Sequence, residues 1–335
     1  MTAQIHYHKD RERSLRRERS GDSFRFVNGK GRPVSKAATD RIRGLAIPPA
    51  WKDVIISTDS MDYIQAIGID ARGRKQYIYH PDWIKRNQEH KFDQMVAFGE
   101  RLPALREAIS AHMREPTLTE NRVLATVVWL LEHTFIRVGN TKYAEEDHSY
   151  GLTTMLEKHI KVHGNTMTFS FKGKSGVFHE LGITDPRVAK TVRECIDLPG
   201  FELFQYLDKS NQRRSISSEE VNKYLKTHTG ADFSAKDFRT WGGSVLAGDS
   251  FYREGNAKDE NDLKEKITEV VTTVSEHLGN TKSVCRKYYI HPVILESYKK
   301  EILVPHFKRS YGRKSTKRLG LTLEEYATWS LIKDS

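Results

Sequence analysis

The chain has 335 residues, 37% of them hydrophobic, which suits two packed domains and excludes global disorder. Lys and Arg number 55 against 44 Asp and Glu, a formal net charge of +11 that attracts polyanions such as nucleic acid. Cys195 and Cys285 make neither a disulfide framework nor a grouped zinc set, and no run of about 18 apolar residues offers a membrane span.

Residues 1–22 are polar and basic, with Lys9, Arg11, Arg13, Arg16, Arg17 and Arg19, and read as a flexible arm, not a signal peptide. Residues 23–88 read as a small β domain. Ser23–Val27 runs into the turn signal Asn28-Gly29. Trp51–Ile56 and Tyr63–Asp70 read as strands, and Gln76–Tyr79 resumes after a turn at Ala71–Arg74. The polar stretch Lys85–Lys91 reads as the boundary.

From residue 89 to 335 the pattern is mainly helical, with a short β-hairpin region. Phe92–Leu102 and Leu105–Met113 read as helices separated by Pro103. Thr119 is a candidate N-cap for a helix striped by Val123, Leu124, Val127, Val128, Leu131 and Phe135. Gly139-Asn140 is its expected C-cap, which puts Arg137 at the helix end. His159–Val162 and Met167–Phe171 read as a hairpin, with a further turn at Gly173-Lys174-Ser175-Gly176. Helices are expected at Asp185–Ile196, Ser218–Thr227, Trp241–Ala247, Asp259–Leu278 and Thr322–Ile332. The stretch 308–318 is a basic tail without an acid, for which a solvated charge run is the plain reading. The fold class is therefore α+β: an amino-terminal sheet domain, then a mostly α-helical domain.

Single residues carry little chemistry alone. Gly173-Lys174-Ser175 suggests a phosphate-binding loop, but that loop needs glycine at 168, where Thr stands, and a strand-to-helix junction. His159 and His163 have no third ligand nearby. Arg137 could simply favour a helix dipole, Arg239 could pair with Asp237, and Tyr288 and Tyr289 could pack beside their basic neighbours.

Their order carries more. Nine blocks follow one another: Ile47-Pro48-Pro49-Ala50-Trp51, Gly73-Arg74-Lys75-Gln76-Tyr77, Ile136-Arg137-Val138-Gly139-Asn140, Phe171-Lys172-Gly173-Lys174-Ser175-Gly176, Leu198-Pro199-Gly200, Leu203-Phe204-Gln205-Tyr206, Phe238-Arg239-Thr240-Trp241, Leu278-Gly279-Asn280-Thr281 and Tyr289-Ile290-His291-Pro292. In this order, over about residues 23–305, the sequence resembles the compact type IB DNA topoisomerases of bacteria and poxviruses, relatives of the tyrosine recombinases. The resemblance implies a tyrosine-recombinase-like catalytic domain and relaxation of supercoiled DNA through a transient 3′-phosphotyrosine. It implies no metal, nucleotide or other cofactor. By motif, Tyr289 is the nucleophile, Arg137 and Arg239 stabilise the transition state, and Lys174 is the general acid. Asn280 stands where the family often has histidine. Arg74, Lys75, Gln76 and Tyr77 match a DNA-contacting region. The expected partner is double-stranded DNA, bound by a cytoplasmic, nucleoid-associated monomer whose two domains take opposite faces of the duplex.

The residue types suit that chemistry. A phenol titrates near about 10, and nearby cations favour its ionised form. Guanidiniums give a phosphoryl group planar, permanently charged donors. A lysine on a turn can protonate a departing oxygen. Two rival readings use the same residues. A tyrosine recombinase usually carries His-x-x-Arg, where this chain has Lys236-Asp237-Phe238-Arg239. A catalytically weakened DNA-binding protein is suggested by Asn280, which can donate a hydrogen bond but carries no charge.

Overall fold

A computed structural model describes residues 5–7, 14–312 and 320–335. The chain divides into two units, residues 1–93 and 94–335, and the protein is mixed α/β with an amino-terminal sheet.

In the first unit, strands β1 (Ser14–Ser20), β2 (Ser23–Val27), β3 (Lys52–Ser57), β4 (Ile64–Ile69) and β5 (Lys75–Tyr79) form an antiparallel sheet of order β2-β1-β3-β4-β5. Leu15, Val54, Ile56 and Ala66 bury one face against Ile42 of helix α1 (Lys36–Gly44). Sequence reading gave no helix here because Ile42 is α1's one buried residue, so no apolar stripe marks it. The expected arm is corrected at residues 14–20. Leu15 enters the core, and the Arg17 guanidinium donates to the carbonyls of Pro48 (3.0 Å) and Trp51 (2.6 Å), so this basic stretch is an inner strand. Residues 1–4 and 8–13 of that arm, and 313–318 of the basic tail, lie outside the described residues.

Helix α2 (Pro81–His112) runs unbroken through Lys85–Lys91, read above as a boundary, and through Pro103, read as a break. Met95, Phe98, Leu102, Leu105 and Ile109 keep one helical stripe buried across the proline, so packing outweighs its lost hydrogen bond. Helix α3 (Glu120–Thr134) starts at Thr119, whose hydroxyl accepts from Arg122 N. The buried Arg122 reaches Glu194 in a bidentate pair at 2.6 and 3.0 Å. The helix ends earlier than expected. Phe135 takes the left-handed cap conformation (φ 53°), and Asn140 instead begins α4 (Thr141–Asp147) as its N-cap. Arg137 therefore lies in the connection and not on a helix end.

Strands β6 (Ile160–His163), β7 (Thr166–Lys172) and β8 (Phe178–Thr184) form a three-stranded antiparallel sheet. Helix α5 (Pro186–Ile196) begins at the Asp185 cap, and β9 (Gln205–Leu207) pairs with β10 (Arg213–Ser215). Helices α6 (Ser218–Thr229), α7 (Ala235–Glu254) and α8 (Glu260–Leu278) follow. They lead to the short α9 (Lys282–Tyr288), α10 (Pro292–Lys299), α11 (Leu303–Gly312) and α12 (Leu323–Lys333). α7 is far longer than the Trp241–Ala247 expected, because its buried face includes glycine, serine and arginine, which apolar periodicity does not count.

One ion cluster ties α12 to α2 and α3. Arg106 of α2 donates to Glu132 of α3 at 2.6 Å and to Glu325 of α12 at 2.6 Å. Burial opposes the charge on Glu325, but hydrogen bonding to Arg106 outweighs it and holds the carboxyl below its usual range. Arg106→Ala strands two largely buried carboxylates, and we expect a loss of about 3–5 kcal/mol in urea unfolding at pH 7. The Glu325 contribution is full above the unfolded value of about 4.3 and is lost as pH falls through the depressed folded value. The stability gap between wild type and Glu325→Gln should therefore close on acidification, which urea titrations from pH 7 to 3 measure.

Candidate active site

α7 is the element on which the site is built. Ser234 and Asp237 form its capping box, with Asp237 accepting from Ser234 N at 2.7 Å. Asp237 thus turns back to the helix start, and Arg239 is left to find other partners. Arg239 is buried; its Nη1 donates to the Phe135 carbonyl and its Nη2 to the Leu278 carbonyl at 2.7 Å. Those acceptors are the ends of α3 and α8, where unpaired carbonyls concentrate partial negative charge.

Arg137 lies two residues beyond Phe135. Its backbone is fixed by Leu152 N, which donates to the Arg137 carbonyl at 2.9 Å. Its Nη2 donates to Asn280 Oδ1 and faces the Gly279 carbonyl at 3.5 Å. A guanidinium has donors only, so the Asn280 amide must present its oxygen to Arg137, and its NH2 is directed elsewhere. Asn280 Nδ2 and Arg239 Nε are both buried without a well-formed hydrogen bond among the described residues; the Asn280 amide lies against the Cys285 thiol and the Arg239 guanidinium against the Tyr289 hydroxyl. Burial, reinforced by the like charge of Arg239, lowers Arg137 to about 10. Burial also lowers Arg239, against the opposing influence of Tyr289. Both remain charged at neutral pH.

Tyr289 occupies the break between α9 and α10, where His291 caps the second helix. The Arg239 guanidinium carbon lies 5.1 Å from the Tyr289 ring centroid, whereas Tyr288 is approached by Lys287 at 5.3 Å. Ser244 of α7 holds the Tyr289 backbone: its hydroxyl donates to the Tyr289 carbonyl at 3.2 Å and accepts from His291 N at 2.9 Å. The tight packing needs two glycines. A Cβ on Gly242 would meet the Phe135 ring at 2.1 Å, and one on Gly243 would meet the Tyr289 carbonyl oxygen at 2.9 Å.

Lys174 lies on the turn between β7 and β8, closed by Gly173 N donating to the Val177 carbonyl at 2.7 Å. Gly173 lines a cleft shared with Phe135, Arg137, His179 and Arg239. The Lys174 side chain is exposed and makes no hydrogen bond or ion pair among the described residues. The structure therefore brings Arg137, Arg239, Asn280 and Tyr289 together and places Lys174 on the adjoining turn, with its ammonium outside the cluster. In the first unit, Asp70 accepts from Arg74 Nε and Gln76 Nε2, both at 2.9 Å. Burial works against the Asp70 charge, but these bonds and those from the turn backbone lower it to about 2. Lys75 and Tyr77 are exposed beside them, with the Lys75 ammonium 5.5 Å from the Tyr77 ring and Tyr77 stacked on Tyr79.

Sequence reasoning missed Phe135, Gly242, Gly243, Ser244 and His179. Phe135 and the α7 residues carry no chemical signature of their own. His179 had one available: pairing outward from the turn places it opposite Phe171, facing the cleft.

Residues 23–70 match the family described as bacterial DNA topoisomerase IB, N-terminal domain, and residues 80–311 match eukaryotic DNA topoisomerase I, catalytic core. The DNA topoisomerase 1B of Acanthamoeba polyphaga mimivirus is 31% identical over 87% of this chain and 89% of its own length. The DNA topoisomerase 1B of Vaccinia virus (strain Copenhagen) is 24% identical over 80% of this chain and 84% of its own.

Gly242→Ala tests the packing beneath Arg239. The methyl must displace the Phe135 ring, and overpacking of this kind costs about 1–3 kcal/mol. A fall of that size is expected in urea unfolding; an unchanged midpoint and slope would show that the Phe135 contact is loose.

Proposed function

The chain belongs to the DNA topoisomerase IB family, and we propose that its reaction is carried by Tyr289, Arg137, Arg239, Asn280 and Lys174. The observation that supports this reading best is a buried guanidinium, Arg239, and a half-buried one, Arg137, beside a tyrosine, held by backbone carbonyls and an amide in place of carboxylates. Their charge is thus left for an incoming anion. Arg239 Nε and Asn280 Nδ2, which make no well-formed hydrogen bond within the protein, add donors for oxygens of a backbone phosphate.

In the proposed step the Tyr289 hydroxyl oxygen attacks the phosphorus and gives up its proton to solvent water. The bond from phosphorus to the 5′ oxygen breaks, and Lys174 gives that oxygen a proton. The product is a 3′-phosphotyrosine and a free 5′ hydroxyl. Arg137, Arg239 and Asn280 hold the non-bridging oxygens, where charge builds in the transition state. Resealing is the reverse attack, and the phosphotyrosine conserves the bond, so no ATP is consumed. Between the two steps the free end turns and torsion is released. Asn280 supplies here the neutral donor that its fixed amide geometry leaves over, which supports an active centre against a weakened one. The order of these residues on a helical unit, residues 94–335, with a small antiparallel sheet supports the tyrosine-recombinase-like reading made for residues 89–335. We further propose that the protein binds duplex DNA as a monomer, with Arg74, Lys75, Gln76 and Tyr77 among its contacts. Lys75 and Tyr77 are the exposed members of that set, whereas Arg74 and Gln76 are engaged with Asp70.

Purified protein should relax plasmids supercoiled in either sense in EDTA. Tyr289→Phe should bind DNA and relax none, and the adduct trapped from wild type should map to Tyr289 and a 3′ DNA end. Activity in that variant would remove Tyr289 from the nucleophile's role. Arg137→Ala and Arg239→Ala should each slow single-turnover cleavage by about 10²–10³-fold. Lys174→Ala should slow cleavage of ordinary DNA yet cleave a 5′-bridging phosphorothiolate at near the wild-type rate, since a thiolate leaves without a proton.

A further inference from the structure

The His179 ring fills the space between two glycines on opposite sides of the cleft. A Cβ on Gly173, next to Lys174, would lie 2.7 Å from His179 Cδ2 and Nε2. A Cβ on Gly279, next to Asn280, would lie 2.2 Å from His179 Cε1. The ring is held from behind by near-parallel stacking on Phe171, its partner across β7 and β8, with centroids 5.2 Å apart and planes at 15°. The Lys174 turn makes few other commitments. Within Gly173–Val177 the backbone bonds are internal, Gly173 N to Val177 O, Gly176 N to Gly173 O and a long Val177 N to Lys174 O at 3.5 Å, and the nearest outside tie is Tyr150 N donating to the Lys172 carbonyl at 2.8 Å. The imidazole is thus a rigid spacer between the turn that carries Lys174 and the helix end that carries Asn280.

We propose that His179 is a positioning residue, which seats the Lys174 turn against the Arg137–Asn280 side of the site so that the ammonium reaches the departing 5′ oxygen. The proposal rests on the active-site reading above and goes beyond it by assigning the placement of the acid to a residue outside the five. Burial and then the charges of Arg137 and Arg239 keep His179 below its ordinary value. At neutral pH the spacer therefore adds no further positive charge to compete with the lysine.

Loss of the spacer should impair proton delivery and leave phosphate binding intact. His179→Ala should slow single-turnover cleavage of ordinary DNA by about 10²-fold, the cost of a misplacement of about 1 Å. On the 5′-bridging phosphorothiolate substrate it should approach wild type, with unchanged equilibrium affinity for uncleaved DNA. In the Lys174→Ala background the same change should add little, because both act on one step. Gly173→Ala keeps the imidazole but crowds it, and should show the same sulfur-rescued defect if His179→Ala folds poorly. Equal slowing of both substrates by either variant, full activity of His179→Ala on ordinary DNA, or additive effects with Lys174→Ala would overturn the positioning role. Failure of Lys174→Ala itself to be rescued would instead bring down the acid assignment, and the proposal with it.

Discussion

Two like charges sit side by side, Arg239 buried and Arg137 half-buried, and the fold must keep both there without neutralising them. Carboxylates would do this at the cost of the charge itself, since a paired guanidinium has little left for a phosphate. Here the partners are the carbonyls of Phe135, Leu278 and Gly279 and the amide oxygen of Asn280. Helix ends supply enough negative potential to hold an arginine and too little to cancel it. The endpoints of α3 and α8 are therefore part of what holds the two charges, and the left-handed caps at Phe135 and Gly279 are what aim those carbonyls.

The rest of the second unit can be understood as support for that arrangement. α7 carries Arg239 in its first turns and, within five residues, offers two glycines and a serine to its neighbours. Gly242 admits the ring of Phe135, whose carbonyl faces Arg239, and Gly243 and Ser244 admit the backbone of Tyr289. Three segments far apart in sequence meet on about one and a half turns of a single helix. Arg106 does similar work at the other side of α3, joining it to α12 through Glu132 and Glu325.

The sequence was most informative where chemistry and order coincide. Short motifs singled out Arg137, Arg239, Asn280 and Tyr289, which the structure brings together, and Lys174 on the adjoining turn; turn residues and alternation marked β2 to β7. Helix ends were less legible. Gly139-Asn140 resembles a stop signal, yet α3 stops at Phe135, a residue type with no preference for the left-handed region. Tertiary contacts settle that ending, since the Phe135 carbonyl is claimed by Arg239 a hundred residues later. The same reason hid β1, whose arginines suggest an arm until Leu15 and the loop around Trp51 are seen to need it. His179 escaped because a lone histidine on a strand is ordinary, and only the two glycines facing it show that its ring is a fitted part.

The staple made by Ser244 has a mechanical meaning. In the reaction proposed for Tyr289, a tyrosine joined to DNA would be the point at which torque and drag from the turning duplex enter the protein. A tether on a frayed helix end would swing with that load. Here one hydroxyl grips the chain on both sides of the buried Ile290, at the Tyr289 carbonyl and the His291 amide. On that proposal strain would pass directly into a twenty-residue helix, and the anchored end would stay in register for rejoining while the other end spins.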